Sequence, residues 1–109
     1  MDGSDTRVKP QPILLNDLYI DPIGYQVKLG KKEVELTLKE FNLLYLFACN
    51  SGKVVRRDEV LRTISDPDTL EEDGAVNVVI CRLRKKIEAD PHHPQRLVSV
   101  RGLGYRLKG

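Results

Sequence analysis

Tryptophan is absent from the 109 residues, methionine occurs once, cysteine twice, and aromatic side chains make up only 6%. Two isolated cysteines, Cys49 and Cys81, can neither frame a disulfide scaffold nor supply a zinc site with the usual ligand spacing. They suit a reducing compartment, and a cytoplasmic protein is expected. No apolar run approaches the ~20 residues that cross a bilayer, so no membrane contact is expected either. The polar start, Met1 to Pro12, has no apolar centre of the kind a signal peptide needs. With Gly3, Ser4, Pro10 and Pro12 among charges, residues 1–12 read as a linker remnant, with an expression scar at their very beginning. Residues 13–109 read as one domain, long enough to bury a core without disulfides or metal. No nucleophile stands with a base placed for it, and no carboxylates pair in a recognisable frame. An enzyme is therefore not expected, nor a cofactor or metal.

The net charge of +2 hides an asymmetry. Residues 75–109 hold eight Lys or Arg against two Asp or Glu, whereas residues 1–74 hold ten against fourteen. A localised positive field attracts polyanions even when total charge is small. On charge alone, a solvated basic tail accounts for the pattern equally well.

Short alternating runs punctuated by turn formers fill residues 13–37: Leu18-Tyr19-Ile20, Tyr25-Gln26-Val27-Lys28-Leu29 and Val34-Glu35-Leu36, separated by Asp21-Pro22-Ile23-Gly24 and Gly30-Lys31-Lys32. This predicts an antiparallel meander of three or four strands. Thr37-Leu38-Lys39-Glu40 then has the form of a capping box. The helix after it carries Leu38, Phe41, Leu44, Tyr45 and Ala48 at helical spacing, and Gly52 suits its left-handed end. Cys49 is expected in the core. Lys53-Val54-Val55 reads as a brief extended link. A second helix is expected over 57–64, closed by the Ser65-Asp66-Pro67-Asp68 stretch.

The third helix, about 74–89, is the informative one. At 100° per residue Val76, Ile80, Leu83 and Ile87 form one stripe, while Val78, Cys81, Arg82 and Lys85 occupy the opposite arc, flanked by Arg84 and Lys86. A helix that buries one face and offers arginine and lysine on the other can lie in the major groove of duplex DNA. Arg82 is the candidate base reader, because arginine can bond guanine O6 and N7 together, and Val78 can touch a thymine methyl. Arg84, Lys85 and Lys86 are expected to meet phosphates. The chain closes with Leu97-Val98-Ser99-Val100-Arg101, Gly102-Leu103-Gly104 and Tyr105-Arg106-Leu107, a hairpin with Val98 and Val100 on its apolar face and Ser99 and Arg101 on its polar one. Sheet, three helices and hairpin in that order make an α+β winged helix-turn-helix.

Three segments carry a family resemblance: Leu36-Thr37-Leu38-Lys39-Glu40-Phe41-Asn42-Leu43-Leu44, then Val76-Asn77-Val78-Val79-Ile80-Cys81-Arg82-Leu83-Arg84-Lys85-Lys86-Ile87, then Val100-Arg101-Gly102-Leu103-Gly104-Tyr105-Arg106-Leu107. Together, in this order and spacing, they resemble the C-terminal effector domain of OmpR/PhoB-type response regulators over about residues 14–108. The resemblance implies an N-terminal four-stranded antiparallel sheet, three helices and a C-terminal β-hairpin wing. It implies DNA-facing roles for Val78, Arg82 and Arg84, and a minor-groove role for Arg101, with Ser99 beside it among the candidate contacts. It further implies double-stranded promoter DNA with direct repeats as partner, and an upstream receiver domain that this chain does not contain. The isolated domain is expected to be monomeric. Residues 65–73, with Asp66, Asp68, Glu71 and Glu72, match the transactivation loop that meets RNA polymerase. Gly74 and Val79 depart from the family's usual Arg and His, Asn77 from Asp, Cys81 from Ser or Arg, and Ile64-Ser65 from Trp-Gly. Fewer phosphate partners predict weaker non-specific binding.

Plainer accounts stand beside these. The acidic loop serves equally as a solvated stretch at a helix N-terminus. Cys81 is better read as a small adaptable side chain than as a redox sensor, and His92 and His93 as a surface turn rather than a metal pair. A DNA-binding module of a one-component or membrane-linked activator, or a winged helix that binds an acidic protein, are the alternative functions.

Overall fold

In the computed structural model, residues 10–65 and 73–108 are described. Strands β1 (Ile13–Leu15), β2 (Leu18–Asp21), β3 (Gln26–Leu29) and β4 (Lys32–Val34) form the expected meander, four antiparallel strands in chain order. Its register aligns Ile13, Ile20, Val27 and Val34 in one row across the sheet. Because side chains alternate faces, that row and Leu18 share the buried side and lie on the core.

Helix α1 (Leu38–Cys49) begins with a complete capping box: the Glu40 amide donates to Thr37 Oγ1 (3.2 Å) and the Thr37 amide to Glu40 Oε1 (2.9 Å). Leu43, Leu44 and Phe47 of this helix are fully buried, but Leu38 and Cys49 are exposed, contrary to expectation. At 100° per residue both fall with Asn42 on the outer arc of the helix, away from Phe41, Leu44 and Ala48. Gly52 does take the left-handed conformation (φ 81°), yet its amide donates to Leu107 O (2.9 Å) rather than back into the helix.

Strand β5 (Val54–Arg56), read from the sequence as a mere link, pairs with β7 (Gly104–Leu107), which also pairs with β6 (Leu97–Val100). The wing is therefore three-stranded, in the order β5-β7-β6. Between β5 and β6 lie α2 (Arg57–Ile64) and α3 (Asp73–Ile87). Val60 and Ile64 of α2 meet Val76, Ile80, Leu83 and Ile87 of α3 in a single core with Phe47, Leu97 and Leu107. No helix among the described residues is long and apolar enough to cross a membrane. The winged-helix architecture anticipated from the sequence is the one observed. Asp66, Asp68, Glu71 and Glu72, and the first nine residues of the linker stretch, lie outside the described residues.

Candidate nucleic-acid interface

Helix α3 buries the predicted stripe and adds Val79, at the margin of the core. Its opposite arc exposes Asn77, Val78, Cys81, Arg82 and Lys85, and Val78 keeps 47% of its surface accessible. The wing stands beside this arc. Its turn, Val100 to Leu103, closes through the Leu103 amide on Val100 O (3.0 Å), with Gly102 at φ 79° and Arg101 at the exposed corner. Positive φ at the third turn residue is what favours glycine there. Between helix and wing runs a cleft of about 320 Å³ lined by Asn77, Cys81, Arg84, Lys85, His92 and Ser99.

The basic residues proposed for DNA divide into two groups. Arg82, Lys85 and Arg101 have no hydrogen-bond or ion-pair partner among the described residues, and all three are exposed. Arg84 and Lys86, also expected at phosphates, each hold an internal partner. Arg84 is half-buried: Nε donates to Leu97 O (3.0 Å), Nη2 to Ser99 Oγ (3.0 Å), and its guanidinium lies 5.8 Å from the centre of the Tyr105 ring. Ser99 thus points at α3, with its hydroxyl taken by Arg84. Ser99 shares a side of β6 with the buried Leu97, opposite Tyr105 and Leu107, but is itself exposed. Val98 and Val100 are half-buried on the other face, and Ser99 and Arg101 are exposed, as expected of the polar residues of the hairpin.

Lys86 Nζ donates to Glu40 Oε1 at 2.6 Å, across to the start of α1. Glu40 is almost wholly buried. Burial pushes its carboxyl pKa up, but the Lys86 ammonium and the Thr37 hydrogen bonds outweigh this and hold it below the ordinary glutamate value. A carboxyl whose folded pKa is depressed adds stability that is complete above the unfolded value and lost as pH falls through the folded one. Lys86→Met should therefore destabilise the domain by about 1 kcal/mol at pH 7, a figure reduced for the partial exposure of the ammonium. The gap from wild type should close below about pH 4, near the ordinary carboxylate range. Urea titrations at pH 7 and pH 3 measure this, and an equal gap at both would contradict it.

Three positioning residues had no clear sequence signal. Tyr105, buried in the wing, packs edge-on against Phe47. Its hydroxyl accepts from Arg57 Nη1 (2.9 Å) and donates to Asn77 Oδ1 (3.3 Å), and Arg57 Nη2 reaches the same Asn77 oxygen (3.1 Å). Glu88, just past α3, accepts the amides of Gln95, Arg96 and Leu97 at 2.8 to 3.1 Å, pinning the entry to β6. Only Asn77 stood out beforehand, as a departure from the family's usual Asp. His93 pairs with Asp90 at 3.0 Å in the surface turn expected for the two histidines.

A family model described as "Transcriptional regulatory protein, C terminal" matches residues 31–107. Among solved structures, the response regulator DrrB of Thermotoga maritima, an OmpR/PhoB homolog, is 36% identical over 97% of this chain, with a TM-score of 0.85. This chain spans only 48% of DrrB. The Klebsiella pneumoniae RstA DNA-binding domain, solved in complex with the RstA box, is 33% identical, with 89% of this chain and 96% of that one covered and a TM-score of 0.78. The C-terminal effector domain of Acinetobacter baumannii BfmR is 33% identical over 94% of both chains, with a TM-score of 0.76.

Proposed function

The chain belongs to the family of transcriptional regulatory protein C-terminal domains, of the OmpR/PhoB type, and from that premise we propose that it binds duplex promoter DNA sequence-specifically, with α3 in the major groove and the wing at the minor groove. The observation that carries the reading is the trio Arg82, Lys85 and Arg101, exposed on α3 and the wing turn and without a partner among the described residues. Exposed charge without an internal partner is available to an external one. The RstA domain bound to its RstA box supports the choice of DNA as that partner.

Within this reading Arg82 reads a base, Val78 touches a thymine methyl, Lys85 holds a phosphate and Arg101 enters the minor groove. The chain acts as the effector domain of a two-component regulator, a reading supported by its likeness to the BfmR effector domain and to the response regulator DrrB. It works in the cytoplasm, is monomeric when isolated, and recognises direct repeats as two copies. Residues 65–73 offer their carboxylates to RNA polymerase, and residues 1–12 serve as linker. The role is binding, and no catalysis is assigned.

Selection of bound sequences from random duplexes tests the central claim, with a repeated half-site as the expected yield. On the recovered duplex, Arg82→Ala should cost about 1–3 kcal/mol and relax one base position, whereas Lys85→Ala should weaken all sequences alike and lower the salt slope by about 1. Arg101→Ala should hurt A·T-flanked sites most, because narrow minor grooves attract arginine. Binding indifferent both to sequence and to Arg82→Ala would instead mark an acidic protein as the partner.

A further inference from the structure

We propose that Arg84 and Tyr105 form a gauge that fixes how far, and at what rotation, the wing stands from α3, so that reading in one groove is held in step with reading in the next; this rests on the DNA-binding reading above. Adjacent grooves are divided by one sugar-phosphate strand, which rises about 3.4 Å per base pair. Two elements that read across that strand must hold their separation to less than this, or the wing slips to the neighbouring step. The ladder bonds of the three-stranded wing join its strands to one another and do not reach α3, so they leave that separation unset.

The described contacts supply it. Arg84 grips both strands of the hairpin at once, through Leu97 O and Ser99 Oγ on β6 and the Tyr105 ring on β7. Tyr105 is in turn held by Asn77, seven residues earlier on α3, and by Arg57 at the start of α2. Seven residues are about two helical turns, or roughly 10 Å along the axis. The wing is therefore pinned to α3 at two separated points, and two points fix an angle as well as a distance. Arginine suits this, because its rigid planar fork holds two acceptors in fixed directions while its face covers a ring, and a lysine ammonium on a flexible stem fixes no such geometry. The sequence-level reading gave Arg84 to DNA as a cation. The geometry makes it a positioning residue, and Arg84→Lys separates the two roles because it keeps the charge.

The test compares wild type, Arg84→Lys and Tyr105→Phe, first without DNA. Amide exchange in the wing, read at Leu103, should quicken about tenfold in both variants while the α1 amides stay unchanged, as expected of a local opening. The second arm uses the duplex selected by the wild-type chain and two derivatives with one base pair inserted or removed between the helix and wing contacts. Wild type should lose about tenfold on either derivative, a loss of the size of one mismatched pair, and each variant under about threefold relative to its own starting affinity. Unchanged wing exchange, or wild-type spacing discrimination in Arg84→Lys, would overturn the proposal. So would a uniform loss on all duplexes with a lowered salt slope for Tyr105→Phe, since a phosphate contact would explain it. A wild-type chain that selects no sequence overturns the DNA-binding reading and this proposal with it, whereas failure of the variants alone leaves that reading standing.

Discussion

A chain carrying Gly104→Ala should lose its wing before it loses its core. A Cβ built on Gly104 would lie 2.1 Å from Val55 O, 2.9 Å from Arg56 Cα and 3.0 Å from Arg57 N. All three are backbone atoms, so no side chain can turn aside, and β5 must withdraw from β7. Forcing atoms into a well-packed site costs about 1–3 kcal/mol, and this contact belongs at the top of that range. Against a total stability of roughly 5–15 kcal/mol, the domain survives in weakened form. The damage is directed, however. Separating β5 from β7 breaks the bond from the Arg57 amide to Leu103 O (3.2 Å) and draws the Arg57 guanidinium off Tyr105, so DNA affinity should fall more than stability does. Gly102→Ala is the useful comparison. It has open space around it and a φ of 79°, so only backbone strain of about 1 kcal/mol applies. Denaturation and duplex binding on the two variants check this, and a Gly104→Ala chain as stable as wild type would show that the strands do not approach so closely.

Glu88→Gln should cost about 3 kcal/mol, although it removes no carbon and barely alters volume. The Glu88 carboxylate is buried, and its two oxygens collect three successive backbone amides, Gln95, Arg96 and Leu97. A glutamine keeps one oxygen and turns an NH2 group toward amides that can only donate. Hydrogen bonds to a charged acceptor are worth about 1.5–3 kcal/mol each, and a donor left facing a donor adds its own penalty. Arg96, whose side chain also reaches Asp17 at 2.7 Å, would keep its end of the loop in place. The loss should therefore appear as fraying of β6 in amide exchange together with a lower urea midpoint. Wild-type exchange at Leu97 would contradict this account.

What was legible in the sequence was what is decided locally. The capping box at Thr37 and Glu40, the apolar stripe of α3 and the turn at Gly102 each depend on residues within about three helical turns or one hairpin of each other, and all three stand as anticipated. What was not legible depends on distant partners. Lys86 and Arg84 look alike as cations on a helix margin. One finds a carboxylate 46 residues back and the other a wing 13 to 15 residues ahead. Alternation in β6 shows that two faces exist. Only pairing with Leu107 decides that Leu97 is the fully buried residue of this strand while Val98 and Val100 stay half-buried. Strand β5 is three residues long and has no periodicity to detect. Cys49 belongs to the apolar set by chemistry, but it falls on the solvent arc of α1 with Asn42.

The strand order β5-β7-β6 also sets a timetable. During synthesis from the N-terminus, β5 emerges first, then α2, α3 and β6, and none of these strands has a neighbour until β7 arrives. Val54 waits for Arg106, about fifty positions later, and closing a loop of that length carries an entropic cost that the helices must already have offset by packing. A nascent chain can thus have α3 formed and its cations displayed while the wing is still open. Discrimination between sequences should consequently be the last property acquired in folding and, on the return path, the first one surrendered.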